Sequence, residues 1–144
     1  MFKQVAFTGI GILNSTDDLI RACLEGIANG FKDCLNIMEE ISGKQPQKFL
    51  VAGGLAKSDF VCQLFADVLD MTVEICSCPE ELIGARGSAL VAGVGAGVYD
   101  SIEDAMRKTR STVARRYEPV PQNVEMYKAV YERYGKLRNA VKTL

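Results

Sequence analysis

Phe49-Leu50-Val51-Ala52-Gly53-Gly54-Leu55-Ala56-Lys57-Ser58-Asp59 decides how the rest of the chain is read. Four apolar residues in a row predict a short buried strand, and two glycines end it. Ser58 stands at a helix N-cap position. Val61, Leu64, Phe65 and Val68 then recur at helical spacing. The unit is strand, glycine turn, helix. In an open α/β sheet such a turn lies at the C-terminal edge of the strand, where ligands bind. Gly53 and Gly54 lack a Cβ, so the backbone can take positive φ and let a flat ligand approach. The next helix offers free N–H groups and partial positive charge. A simple tight turn would leave the same pattern.

On the N-terminal side, Phe7-Thr8-Gly9-Ile10-Gly11 closes an extended arm that begins near Val5. It lacks the third glycine and the helix of a dinucleotide fingerprint. A helix is predicted from Thr16 to Ile41. Ser15 or Thr16 caps it, and Asp17 and Asp18 suit its positive end. Ile20, Leu24, Ile27, Phe31, Leu35 and Met38 form an apolar stripe. Ala22, Gly26 and Gly30 form a stripe of small residues. Each helix glycine costs about 1 kcal/mol relative to alanine, so a close neighbour is expected there. Ser42-Gly43 and Pro46 stop the helix.

On the C-terminal side, Thr72–Cys76 alternates as a half-buried or edge strand would: Val73 and Ile75 inward, Glu74 outward. Pro79 and Gly84 punctuate the following loop. Residues 85–98 predict a thin helix of small apolar residues that packs close to a neighbour. Gly93, Gly95 and Gly97 serve its packing and its end. Ser101 and Asp104 have capping-box spacing and open a polar helix to about Arg115. Arg107, Lys108, Arg110, Arg115 and Arg116 read as a solvated face. Tyr117-Glu118-Pro119-Val120-Pro121 reads as a rigid connector. Asn123 caps a last helix, whose inner stripe is Tyr127, Val130, Tyr131, Tyr134, Leu137 and Val141.

The order predicts an α/β fold with a small, mostly parallel sheet flanked by helices. Two or three short strands cover little of the helices' apolar stripes. An uncovered face of about 400 Å² withholds roughly 10 kcal/mol of burial at about 25 cal/mol/Å². The chain is therefore expected to be part of something larger or to self-associate.

The 144 residues fit one domain, and 48% hydrophobic and 24% charged residues with net charge −1 are those of a soluble protein. There is no basic excess to hold nucleic acid or anionic lipid. No apolar run would span a bilayer and no signal-peptide pattern opens the chain, so a cytoplasmic protein is expected. Five cysteines at irregular spacing do not make a disulfide framework. The sequence has no histidine, so a zinc site is not expected and Ser-His or Cys-His nucleophile pairs are excluded.

Four segments in order resemble the C-terminal domain of the FGGY carbohydrate kinases, the sugar-kinase branch of the actin-like ATPase (ribonuclease H-like) superfamily. They are Phe7–Ile10 with Arg21-Ala22-Cys23-Leu24-Glu25-Gly26, the Gly53-Gly54 turn with Gln63-Leu64-Phe65-Ala66-Asp67, Gly84–Gly93 with Gly97-Val98-Tyr99, and Tyr117-Glu118-Pro119 with Asn123 and Tyr127. The tail looks more like that of the xylulokinase and ribulokinase type than that of glycerol kinases. The resemblance covers residues 1–144. It implies transfer of the ATP γ-phosphoryl group, with Mg²⁺, to a sugar or polyol hydroxyl.

Carried over by position, Gly53 and Gly54 would meet adenine and ribose through backbone. Leu55 and Ala56 would line that pocket, and Ser58 would hydrogen-bond adenine. Lys57 could reach phosphate or be solvated. Arg86 departs from the family's usual apolar residue and would lie near the nucleotide or mark a subfamily. The family's catalytic Asp and phosphate loops have no counterpart here, since neither an Asp-x-Gly-Thr loop nor a P-loop occurs. The resemblance implies a C-terminal fragment that does not phosphorylate a sugar alone and is a homo-oligomer or packs against an N-terminal half. The alternatives are a non-enzymatic nucleotide-dependent regulator of the same superfamily and a ligand-free helical interaction module.

Overall fold

A computed structural model describes residues 7–78 and 82–141. The elements follow the order α1 (Thr16–Ser42), β1 (Lys48–Val51), a 3₁₀ turn (Gly54–Lys57), α2 (Asp59–Leu69), β2 (Thr72–Cys76), α3 (Ile83–Gly95), α4 (Ile102–Lys108), β3 (Val113–Tyr117) and α5 (Pro121–Val141). They fall into two compact units. One holds α1, residues 67–70 and α5, and the other holds residues 47–66 and 71–118.

In the sheet unit the strand order is β1-β2-β3. β1 and β2 run parallel, with Lys48 opposite Thr72 and Val51 opposite Ile75. β3 runs antiparallel to β2, with Val73 opposite Tyr117, Glu74 opposite Arg116 and Ile75 opposite Arg115, and a bulge follows Ile75. The fold is α/β, as expected, but the sheet is mixed because β3 reverses direction.

β3 corrects two expectations. The polar helix that opens at Ser101 ends at Lys108 instead of reaching Arg115, and the extended segment begins at Val113. The Ser101 hydroxyl accepts the Asp104 N–H, as the capping spacing predicts. Arg115 and Arg116 stay exposed, as expected, but they stand on this strand and pair with Asp59 and Glu74. β2 is also no edge strand. It lies between the other two, and Glu74, expected outward, is buried.

Successive residues point to opposite faces of the sheet. Phe49, Val51, Val73, Ile75, Arg115 and Tyr117 share the face toward α2. There Phe49 stacks on Phe65 with centroids 5.9 Å apart. Val61, Cys62, Leu64 and Phe65 of α2 are buried. The opposite face carries Lys48, Leu50, Glu74 and Arg116, and α3 and α4 lie beyond it. No residue of α3 is buried, and a Cβ on Gly84 or Gly87 would meet nothing within 4 Å. The expected close packing is confined to Gly93, whose Cβ would fall 2.7 Å from the Tyr99 ring.

In the helical unit, Ser15 and Asp18 form a reciprocal capping box at the start of α1, and Gly43 ends the helix in the left-handed conformation. α5 meets α1 through tyrosines. Tyr127 Oη donates to Glu25 (3.2 Å) and Tyr131 Oη donates to Asp33 (2.7 Å). Tyr134 approaches Gly30, so one of the small residues has its neighbour, whereas Gly26 has none within 4 Å. Ile20, Ile27 and Met38 of the apolar stripe are exposed.

Asn123 does not cap α5. Pro121 occupies the first helical position, where a missing N–H is harmless. Asn123 instead donates to the buried Asp67 carboxylate (2.8 Å), which also accepts the Val120 N–H. Leu137, expected inward, is exposed. The expected strand near Val5 lies partly outside the described residues, as does Pro79. Residues 7–11 hold no strand, and a turn at Ile12–Leu13 is closed by the Asn14 N–H on Gly11 O (3.1 Å), while the Asn14 side chain accepts the Gly11 N–H.

Candidate functional site

The C-terminal ends of the parallel pair β1–β2 release their chains side by side into residues 52–58 and into Ser77 and Cys78. A cleft of about 200 Å³ opens between those segments, lined by Val51, Gly53, Ala56, Ile75, Cys78 and Arg115 among others. This is the edge of an α/β sheet at which ligands bind.

Gly53 shapes the cleft. Its φ of 85° and ψ of −161° lie in a region open to glycine alone. A Cβ built there would meet nothing within 4 Å, so the space beside this backbone is open. The following residues wind into the 3₁₀ turn. Ala56 N–H donates to Gly53 O (3.0 Å) and Ser58 N–H donates to Leu55 O (3.4 Å). Gly54 lies inside this turn and has no positive φ, so only Gly53 uses the glycine freedom expected of both.

The five expected contact residues separate. Gly53 and Ala56 line the cleft, whereas Gly54, Leu55 and Ser58 do not. Leu55 is exposed and Ala56 is buried. Ser58 is the predicted N-cap: its Oγ accepts the Val61 N–H (3.3 Å), which leaves its hydroxyl proton for a ligand. Lys57 lines the cleft. Arg86 does not. It donates to Thr109 O and lines a different cleft, of about 710 Å³, on the opposite sheet face.

The charge beside the turn is balanced. Asp59 opens α2, so the positive end of that helix already faces a carboxylate. The Tyr117 hydroxyl donates to Asp59 and, with Arg115 (2.6 Å), holds its carboxyl below the usual carboxylate range. The same bond to Asp59 raises the Tyr117 phenol. A helix start neutralised in this way suits the uncharged end of a ligand better than a phosphate.

Sequence reasoning missed Arg115 and the loop after β2. Arg115 sat in a run of basic residues that looked solvated, and only its place opposite Ile75 brings it to the cleft. Among the described residues no cluster of three or more carboxylate, cysteine or histidine side chains could hold a metal ion. No described helix is long and apolar enough to cross a membrane.

Residues 4–96 match the sequence model of the FGGY family of carbohydrate kinases, C-terminal domain. The chain is 32% identical over 146 aligned positions to a ribulokinase of Bacillus licheniformis, covering 94% of this chain and 26% of that protein. It is 31% identical to a glycerol kinase of Haemophilus influenzae, covering 98% of this chain and 26% of that one. The crystal structure of a xylulose kinase from Rhodospirillum rubrum superposes with a TM-score of 0.78 at 28% identity, over 96% of this chain and 27% of that one. The chain thus spans about a quarter of the length of the relatives it matches.

Proposed function

The chain belongs to the FGGY family of carbohydrate kinases, and from that premise we propose that it supplies the adenosine-binding wall of an ATP-dependent sugar kinase. Residues 1–144 serve as the C-terminal, nucleotide-binding domain of a longer cytoplasmic chain. That chain transfers the γ-phosphoryl group of ATP to a sugar or polyol hydroxyl. The observation that carries the reading is Gly53: a glycine-only backbone beside open space, in the mouth of a cleft at the carboxyl ends of two parallel strands. Gly53 and Gly54 approach the base and ribose through backbone. Leu55 and Ala56 flank them, and Ser58 donates its hydroxyl proton to the base. The carboxylate at the start of α2 favours the nucleoside end over the phosphates.

Phosphoryl transfer needs nucleophile, metal and γ-phosphate held together. The described residues assemble no such constellation, so Mg²⁺ and the sugar belong to other parts of the longer chain. The 144-residue chain alone is expected not to phosphorylate a sugar. The exposed Ile20, Ile27 and Met38 of α1 support a covering partner, either those other parts or a second copy.

Adenosine and ATP titrations followed by NMR test the reading. Contacts to adenosine alone give an affinity of about 1 mM, near −4 kcal/mol. Shifts at Gly53, Gly54 and Ser58 are expected with both ligands. A folded sample without shifts, from this chain and from one extended upstream, overturns it.

A further inference from the structure

We propose that Arg115 is a positioning residue for the nucleoside: it holds the Gly53–Ser58 turn in the shape that the ligand meets. The inference rests on the adenosine reading above. Arg115 stands opposite Ile75 on the antiparallel strand, with its side chain on the α2 side of the sheet. Its guanidinium makes three bonds in one fork. Nη2 donates to Ala56 O, in the middle of the 3₁₀ turn. Nη1 donates to Asp59 Oδ1 (2.6 Å) and to Tyr117 Oη (3.2 Å). Asp59 also accepts the Tyr117 hydroxyl, so the fork is itself held.

In the turn's own backbone Ala56 N–H donates to Gly53 O and Ser58 N–H to Leu55 O, and Ser58 O accepts the Cys62 N–H of α2 (3.0 Å). Ser58 is tied to α2 through the Val61 N–H, and the Cys62 thiol lies 3.9 Å from Ala56 O. The one charged anchor on the Ala56 carbonyl comes from β3, about sixty residues further along the chain. A planar fork can bond the Ala56 carbonyl and the Asp59 carboxylate at once, which a lysine ammonium at the same reach cannot reproduce. Its charge is already matched by Asp59. Arg115 therefore acts on the ligand through the turn and not as a phosphate contact.

The test compares wild type with Arg115→Lys, Arg115→Ala and Tyr117→Phe, titrated in parallel with adenosine and with ADP. Arg115→Lys is expected to keep the wild-type amide dispersion and melting temperature. Its affinity for adenosine and for ADP should weaken equally, by about tenfold, the scale of one lost charged hydrogen bond. Tyr117→Phe, which removes one of the fork's three bonds and the hydroxyl bond to Asp59 but keeps the bonds to Ala56 O and Asp59, should weaken both by about threefold. Wild-type affinity in both Arg115 variants overturns this inference and leaves the adenosine reading standing. A loss much larger for ADP than for adenosine also overturns it, because Arg115 would then touch phosphate. No adenosine shift in the wild type, alone or in the extended chain, overturns the adenosine reading and this inference together.

Discussion

The two faces of the three-stranded sheet have opposite fates. Toward α2, Val73 and Ile75 are buried, as are Leu64 and Phe65 of that helix, and the same face carries Arg115 to the Gly53 turn. On the other face Leu50 is 65% exposed, while Glu74 in the neighbouring strand is 1% exposed. Hydropathy would assign these two residues the other way round. Leu50 belongs to a run of apolar residues and Glu74 to an alternating strand. The alternation identifies which residues share a face, but not which side chains water reaches. Glu74 lies in the central strand and is met across the sheet by Lys48 (2.9 Å) and Arg116 (2.5 Å). Leu50 lies in the edge strand, beside a cleft of about 710 Å³ that Leu90 and Met106 line from α3 and α4. The α2 face is closed by the helix that connects its own two strands. The other face is left to α3 and α4, and no residue of α3 is buried.

The comparison can be broken first at its fullest point. Phe65→Ala removes a ring buried on the closed face and should cost about 3–5 kcal/mol, read by denaturant unfolding. Leu50→Ala on the open face should stay within about 0.5 kcal/mol. Equal losses at the two positions would mean that the open face is closed in solution.

Gly53→Ala is intermediate. The new Cβ meets open space, so the cost is backbone strain alone, about 1–3 kcal/mol. The adenosine shifts should disappear with it. An alanine variant that is as stable as wild type and binds adenosine would show that the turn does not need its glycine conformation.

Acid should have the smallest effect and should act on the open face. Lys48, then Arg116, hold the Glu74 carboxyl below its usual range. A group whose folded value is depressed adds stability above its unfolded value, and loses it as pH falls through the folded value. The contribution of Glu74 should thus be complete above about pH 5 and decline below it. Unfolding curves of wild type and Glu74→Gln should converge as pH falls toward 3. Curves that stay parallel would remove Glu74 from the acid response.

Much of this was legible beforehand because its causes are local. The α1 box is Ser15 and Asp18, three residues apart, and its stop is Gly43. The β1–turn–α2 unit needs only Phe49 to Leu69, and Gly53 and the Ser58 cap were visible within it. The site was legible in part: Gly53 and Ala56 line the cleft, while Arg115 went unread because its partners are Ala56 and Asp59, more than fifty residues away. β3 was missed for the same reason. Val113-Ala114-Arg115-Arg116-Tyr117 follows a helix and carries two adjacent charges, and only pairing with β2 makes it a strand.

The sequence by itself determined where α1 starts and stops, the strand-turn-helix unit with its glycine turn, and the family. These follow from side chains acting on backbone a few positions away, or from motifs in order along the chain. The tertiary structure alone decided the direction of β3, the burial of Glu74, the exposure of Leu50 and the arrival of Arg115 at the turn. Each of these depends on which distant segment lies alongside, and burial and ion pairing are properties of that neighbourhood and not of the residue.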